Sequence, residues 1–139
     1  MHGVTGRMGY NQHLVRSILA IRDQGGVALS NGDRLMVDPI IVGRDADKIE
    51  RLAKKHDIKR WSSDLDAALA NPEDTVFFDA GTTLMRAGLL EKALAAGKHV
   101  YCEKPTSDSL DVALNLARKR APRGSSMAWC RTSSFCPGC

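Results

Sequence analysis

The chain has 139 residues, 43% of them hydrophobic, 26% charged and 5% aromatic, with a formal net charge of +4. That is enough for one domain with a modest core and too little for a two-domain enzyme. Every apolar run is cut within a few residues by Arg, Asp, Lys or Gly, which excludes a membrane-spanning segment. Met1-His2-Gly3-Val4-Thr5-Gly6 has neither the basic nor the apolar region of a secretory signal, so the expected address is cytoplasmic.

The positive charge is unevenly placed. No Asp or Glu follows Asp111, while Arg118, Lys119, Arg120, Arg123 and Arg131 do, so the body is close to neutral and the basicity belongs to one end. With few aromatics to stack on bases, no nucleic-acid partner is expected. Cys130, Cys136 and Cys139 offer three soft ligands, but a structural zinc site wants four in closed geometry, and no metal is expected.

In chain order, Leu14, Val15, Ile18, Leu19 and Ile21 recur at helical spacing, so residues 8–22 read as an amphipathic helix opening after a glycine-rich turn. Residues 23–39, rich in Gly, Asn and Asp, read as a long loop. Ile40-Ile41-Val42 is a short β-branched strand ending at Gly43, and Ile49, Leu52 and Ala53 define a helix that Asp45 or Asp47 could cap. Lys59-Arg60-Trp61 reads as a brief strand. A short helix over 64–70 stops at Asn71-Pro72, and 75–79 is a buried strand. A helix over 86–96 ends at Gly97, and His99-Val100-Tyr101-Cys102 is another strand. Strands separated by helices imply crossovers and a parallel sheet, hence an α/β fold. From Ala121 onward Pro, Gly, Ser and Cys replace periodicity, so the expected division is a domain over 1–120 and an irregular tail over 121–139.

Gly3-Val4-Thr5-Gly6-Arg7-Met8-Gly9 places glycines at spacing three straight into a helix. Such a turn lets the backbone approach a pyrophosphate, which the helix N-terminus then binds. A plain tight turn is the alternative, and the setting of alternating strands and helices favours the nucleotide. After the strand at 40–42 comes Gly43-Arg44-Asp45, where Arg44 favours the 2′-phosphate of NADP and Asp45 could serve a ribose hydroxyl; a surface ion pair is the other reading. Asp79-Ala80-Gly81-Thr82-Thr83 puts small and hydroxylated residues at a strand's carboxyl end, either a ligand-facing edge or an ordinary polar loop. In Cys102-Glu103-Lys104-Pro105, a lysine beside an acid can donate to a substrate oxygen or to the nicotinamide ribose; without that context Lys104 is a surface lysine.

Together, the glycine turn, Arg60-Trp61-Ser62-Ser63-Asp64-Leu65 and Ala95-Ala96-Gly97-Lys98-His99-Val100-Tyr101-Cys102-Glu103-Lys104-Pro105-Thr106 resemble the N-terminal domain of the Gfo/Idh/MocA oxidoreductase family over about residues 1–120. The resemblance implies a Rossmann-type doubly wound parallel sheet and an NAD- or NADP-dependent hydride transfer to or from a sugar, polyol or small carbonyl compound. It implies that Gly3, Gly6, Arg7, Met8 and Gly9 hold the pyrophosphate and that Thr82 and Thr83 border the nicotinamide. Lys104 would touch cofactor and substrate, with Glu103 beside it.

Two departures stand out. Only Met1-His2 precede the glycine turn, so the family's central first strand is expected to be largely missing, and the family's second domain has no counterpart before Cys139. When the codons of residues 123–139 are regrouped one step out of frame, they can encode a string that resembles the family's continuation. Met127 and Trp129, with one codon each, comply. The tail is therefore expected to be out-of-frame sequence on an incomplete oxidoreductase that is inactive alone. A non-catalytic dinucleotide-binding module and a small interaction protein using the basic tail are the alternatives.

Overall fold

The computed structural model describes residues 1–119 and the backbone of residues 127–130. Helix α1 runs as a π-helix over Gly9–Leu19 and continues as an α-turn over Ala20–Asp23. Then follow β1 (Val27–Ala28), β2 (Arg34–Leu35), β3 (Ile40–Val42), α2 (Ala46–Lys55), β4 (Arg60–Ser62), α3 (Leu65–Ala70), β5 (Val76–Asp79), α4 (Thr83–Ala95), β6 (His99–Glu103), α5 (Leu110–Arg118) and β7 (Met127–Cys130). The predicted helices and strands stand within a few residues of these bounds. Three findings differ: residues 23–39 are not a plain loop but carry the antiparallel hairpin β1–β2, α5 has no counterpart among the predicted elements, and the tail contributes β7, which pairs parallel to β6. The irregularity expected for residues 121–126 and 131–139 lies outside the described residues.

Strands β3 and β4 pair in parallel, as do β5, β6 and β7. Met1 and His2 join the two groups. His2 bridges Val42 on one side and Asp79 on the other, both in parallel. Val42 N–H donates to Met1 O at 2.9 Å and the Met1 nitrogen donates to Ile40 O at 2.6 Å. Across the other edge His2 N–H donates to Phe78 O at 2.8 Å, and Ala80 N–H to His2 O at 3.1 Å. The order is therefore β4, β3, Met1–His2, β5, β6, β7, that of a doubly wound dinucleotide-binding sheet. The first strand is short, as the sequence implied, yet the facing edges of β3 and β5 are paired at their carboxyl ends. Beside Met1 a small pocket of about 20 Å³, roughly one water in size, is lined by residues of β3, β5 and α3.

Helices cover both faces because adjacent strand residues point to opposite sides. Phe78 enters the cluster of Val4, Leu14, Leu19, Ile41, Ile49, Ala53 and Ile58, under α1 and α2. Its neighbour Phe77 enters the other cluster, with Leu69, Leu90, Ala93, Leu94, Val100, Cys102 and Leu116, under α3, α4 and α5. The Asp45 carboxylate caps α2 through Lys48 N–H at 3.0 Å, and Asp64 caps α3 through Ala67 N–H at 3.0 Å. The caps supply acceptors to first-turn amides that have no intrahelical partner. Among the described residues no helix is long and apolar enough to cross a membrane.

At the carboxyl ends of the central strands lies a buried charge network. Asp79, fully buried, accepts from His2 Nδ1 at 2.7 Å and Gly81 N–H at 3.1 Å on one oxygen, and from Arg86 Nε at 2.8 Å on the other. Burial pushes its pKa up, but the bonds from His2, Arg86 and Gly81 outweigh that and hold the carboxyl below its usual range. A depressed folded-state pKa adds stability at neutral pH that disappears as pH falls below about 4, the unfolded value, and through the folded one. Asp79→Asn is therefore expected to lower the urea midpoint at pH 7 by the equivalent of about 3–5 kcal/mol, the usual loss on breaking a buried pair. The gap to the unsubstituted chain should narrow as pH falls below about 4 and on through the folded-state value, as Asp79 itself takes up a proton; a gap that stays constant with pH would contradict this assignment.

Candidate functional site

The turn that opens α1 is built by its glycines. Gly6 N–H donates to Gly3 O at 3.2 Å and Tyr10 N–H to Gly6 O at 2.8 Å, winding the chain into the helix. Gly3 sits at φ +81°, and a Cβ there would stand 2.3 Å from the Ala80 carbonyl carbon. A Cβ on Gly9 would stand 2.1 Å from Gly3 O. The first and third glycines therefore allow turn, helix and the loop after β5 to touch. The second behaves differently: a Cβ on Gly6 meets nothing nearer than Gly3 O at 3.5 Å, so its outer side is open.

That open side faces a cleft of about 400 Å³ whose walls include His2, Gly3, Thr5, Gly6, Arg7, Met8, Gly9, Gly43, Arg44, Ala80, Gly81 and Thr82. It lies outside the carboxyl ends of β3, the Met1–His2 strand and β5, where the strand order reverses and doubly wound sheets bind ligands. The structure thus brings together seven residues singled out in the sequence: Gly3, Gly6, Arg7, Met8, Gly9, Arg44 and Thr82. Arg44 is exposed at the cleft, while Asp45 is turned back onto the first turn of α2 as its cap. A second groove, about 430 Å³, shares Thr5, Gly6 and Arg7 and adds Tyr10, Lys48 and Lys55.

Three expected residues stand apart from the cleft wall. Thr83 is the first residue of α4, half-buried behind Thr82. Lys104 is exposed just beyond β6 and precedes a cis peptide to Pro105. Glu103 is buried: one carboxylate oxygen is 2.5 Å from His13 Nε2 and the other accepts Lys104 N–H at 3.1 Å. With both oxygens engaged inside the protein, Glu103 anchors the turn that presents Lys104 and does not face the cleft. Beside it, burial pushes the Cys102 thiol up to about 11, which makes it a core group and no nucleophile.

The sequence reading placed Asp79 at this edge but not its buried charge pairing, and it missed His13 and Arg86 as parts of the edge. His13 points inward because α1 is a π-helix, whose wider turn buries His13 together with Leu14 and Leu19, and its ring meets Phe78 edge to face at 5.0 Å. Arg86 had a signal: it shares the face of Leu90, Ala93 and Leu94 at spacings of four, seven and eight, so helical periodicity alone marks it as buried. Among the described residues no group of His, Cys, Asp or Glu is arranged to hold a metal ion; the side chains of Cys130, Cys136 and Cys139 lie outside them.

Comparison with known proteins agrees with this geometry. An oxidoreductase family with an NAD-binding Rossmann fold, Gfo/Idh/MocA, matches residues 5–127. The chain is 46% identical over 138 residues to a D-xylose dehydrogenase of Paenarthrobacter nicotinovorans, covering 99% of this chain and 36% of that protein. It therefore spans about a third of that relative's length. Among solved structures, a levoglucosan dehydrogenase in complex with NADH and levoglucosan superposes with a TM-score of 0.71 at 20% identity, over 91% of this chain and 33% of that one. Biliverdin reductase from Synechocystis sp. PCC 6803, in complex with biliverdin and NADP+, does so with a TM-score of 0.59 at 23% identity, over 71% and 31%. At those identities the two structures bear on the fold alone. With its glycine turn, sheet order and cleft all in the expected relation, the chain belongs to the Gfo/Idh/MocA oxidoreductase family and carries its NAD-binding Rossmann fold.

Proposed function

We propose that this chain is the nucleotide-binding part of an NADP- or NAD-dependent dehydrogenase acting on a sugar or polyol, with NADP favoured. The observation that carries the reading is the open side of Gly6 above a helix N-terminus, where any side chain would project into the cleft. The family relation and the D-xylose dehydrogenase relative support the substrate class. When bound, the cofactor supplies the hydride acceptor or donor. The chain's own residues do the rest.

In this reading the amides of the glycine turn and the positive end of α1 bind the pyrophosphate, because the first-turn N–H groups lack intrahelical partners. Arg44, exposed on the cleft wall, would meet a 2′-phosphate, with Arg7 and Lys48 adding positive charge around the adjoining groove. Thr82 borders the nicotinamide side, and Lys104, exposed at the carboxyl end of β6, passes a proton to or from the substrate oxygen as the hydride moves. Glu103 acts through Lys104 by holding its main-chain N–H. The remaining two-thirds of a relative's length would complete the substrate pocket.

Gly6→Val is expected to weaken NADPH and NADH binding at least a hundredfold in fluorescence titration while leaving the thermal unfolding transition in place. Unchanged affinity in the folded variant would refute this reading. Arg44→Ala is expected to cost NADPH about 10- to 100-fold in affinity, the worth of a charge-assisted bidentate pair, and NADH little; equal losses for both would remove the 2′-phosphate assignment. For Lys104→Met, introduced where this chain is joined to the rest of its relatives' length, turnover of D-xylose should fall about 10²- to 10⁴-fold with cofactor affinity nearly preserved. Near-normal turnover would return Lys104 to the role of an ordinary surface lysine.

A further inference from the structure

Arg86 is 2% exposed, on the apolar face of α4, and all three of its guanidinium nitrogens are engaged. Nε donates to Asp79 Oδ2 at 2.8 Å, Nη2 to the Gly81 carbonyl at 2.6 Å, and Nη1 to the Pro105 carbonyl. These acceptors belong to two separate segments, the end of β5 with the loop after it and the turn after β6. Through Asp79 the network continues to His2, the residue before the glycine turn. One buried cation therefore touches, directly or through one carboxylate, each of the three segments at the carboxyl edge of the central sheet.

Core stability does not call for this. A buried ion pair rarely outperforms apolar side chains of the same volume, since both ions must be stripped of water. What the guanidinium adds is direction. Its planar fork serves three acceptors along fixed lines, which a lysine ammonium on a flexible stem cannot reproduce. Because the Gly81 and Pro105 carbonyls are both turned onto Arg86, neither peptide can rotate toward the cleft without leaving a buried charge short of a partner.

We propose that Arg86 is a positioning residue: it locks the Ala80–Thr82 loop and the Lys104–Pro105 turn to each other and, through Asp79 and His2, to the glycine turn, so that the nicotinamide side of the cleft and Lys104 are held as one unit. The functional part of this rests on the cofactor reading above. The mechanical part does not.

The test uses the 139-residue chain, its Arg86→Lys variant and its Arg86→Met variant. Thermal unfolding establishes that each is folded, hydrogen–deuterium exchange is followed by mass spectrometry, and NADH is titrated by fluorescence. In a folded variant, exchange in peptides covering 80–83 and 104–107 is expected to rise together, at least tenfold more than in peptides from α2 and β3, and NADH affinity to fall at least tenfold. Unchanged exchange in those two segments, or a rise shared by the whole sheet, would overturn the proposal, since a merely structural arginine loosens everything it supports. If the unsubstituted chain binds no NADH while the two segments loosen together, the cofactor reading fails and the clamp stands. Should both variants fail to fold, NMR of the unsubstituted chain decides: slowly exchanging, rotationally hindered Arg86 Nη protons support the clamp, and freely rotating ones overturn it.

Discussion

Four main-chain hydrogen bonds made by Met1 and His2 turn two pieces of sheet into one. Without them β3–β4 and β5–β6–β7 would be separate parallel ladders, each with an open edge at the centre of the domain. The same two residues aim the chain into the glycine turn. The position of α1, the opening beside Gly6 and the approach of Gly3 to Ala80 all follow from that short bridge. It lies at the carboxyl end of the sheet, the end that carries the cleft, so the pairing falls where the site needs it.

A second constraint is electrostatic. His2, Asp79 and Arg86 place a short chain of charged and polar groups under the cleft floor, and every oxygen of Asp79 and every nitrogen of the Arg86 guanidinium has a partner. Such networks hold their geometry only when complete, because each unpaired member in a low dielectric costs more than an apolar replacement would. A parallel arrangement runs from His13 to Glu103 and on to Lys104 N–H, so the turn that presents Lys104 is gripped from α1 as well as from α4. The exposed lysine thus stands on a rigid base, which the proton-transferring role proposed for it would require.

The chain order of helices and strands was readable from periodicity, because short β-branched runs ending at Gly43 and Asp79 and helices closed by Asn71 or Gly97 leave few alternatives. The hairpin β1–β2 was not readable: its strands have two residues each, all exposed, and a pairing that short carries no alternation. Strand β7 escaped for another reason. Its register against β6 is set by a main-chain ladder that is indifferent to the Pro, Gly and Ser around it.

By itself the sequence determined that this is an α/β chain with a glycine turn opening straight into a helix, because glycines at that spacing let the turn, the helix end and the loop after β5 come within contact distance. It also marked Arg44, Thr82 and Lys104 as candidates, since each follows directly on a strand or opens a helix. The tertiary structure alone decided which of them share a cleft, that Glu103 faces His13 inside the protein, and that Arg86 joins segments about twenty residues apart. Those outcomes depend on the π-helical phase of α1 and on charges paired across the sheet. Contacts of that kind have no local signature, because partners distant in the chain meet only when the sheet has formed.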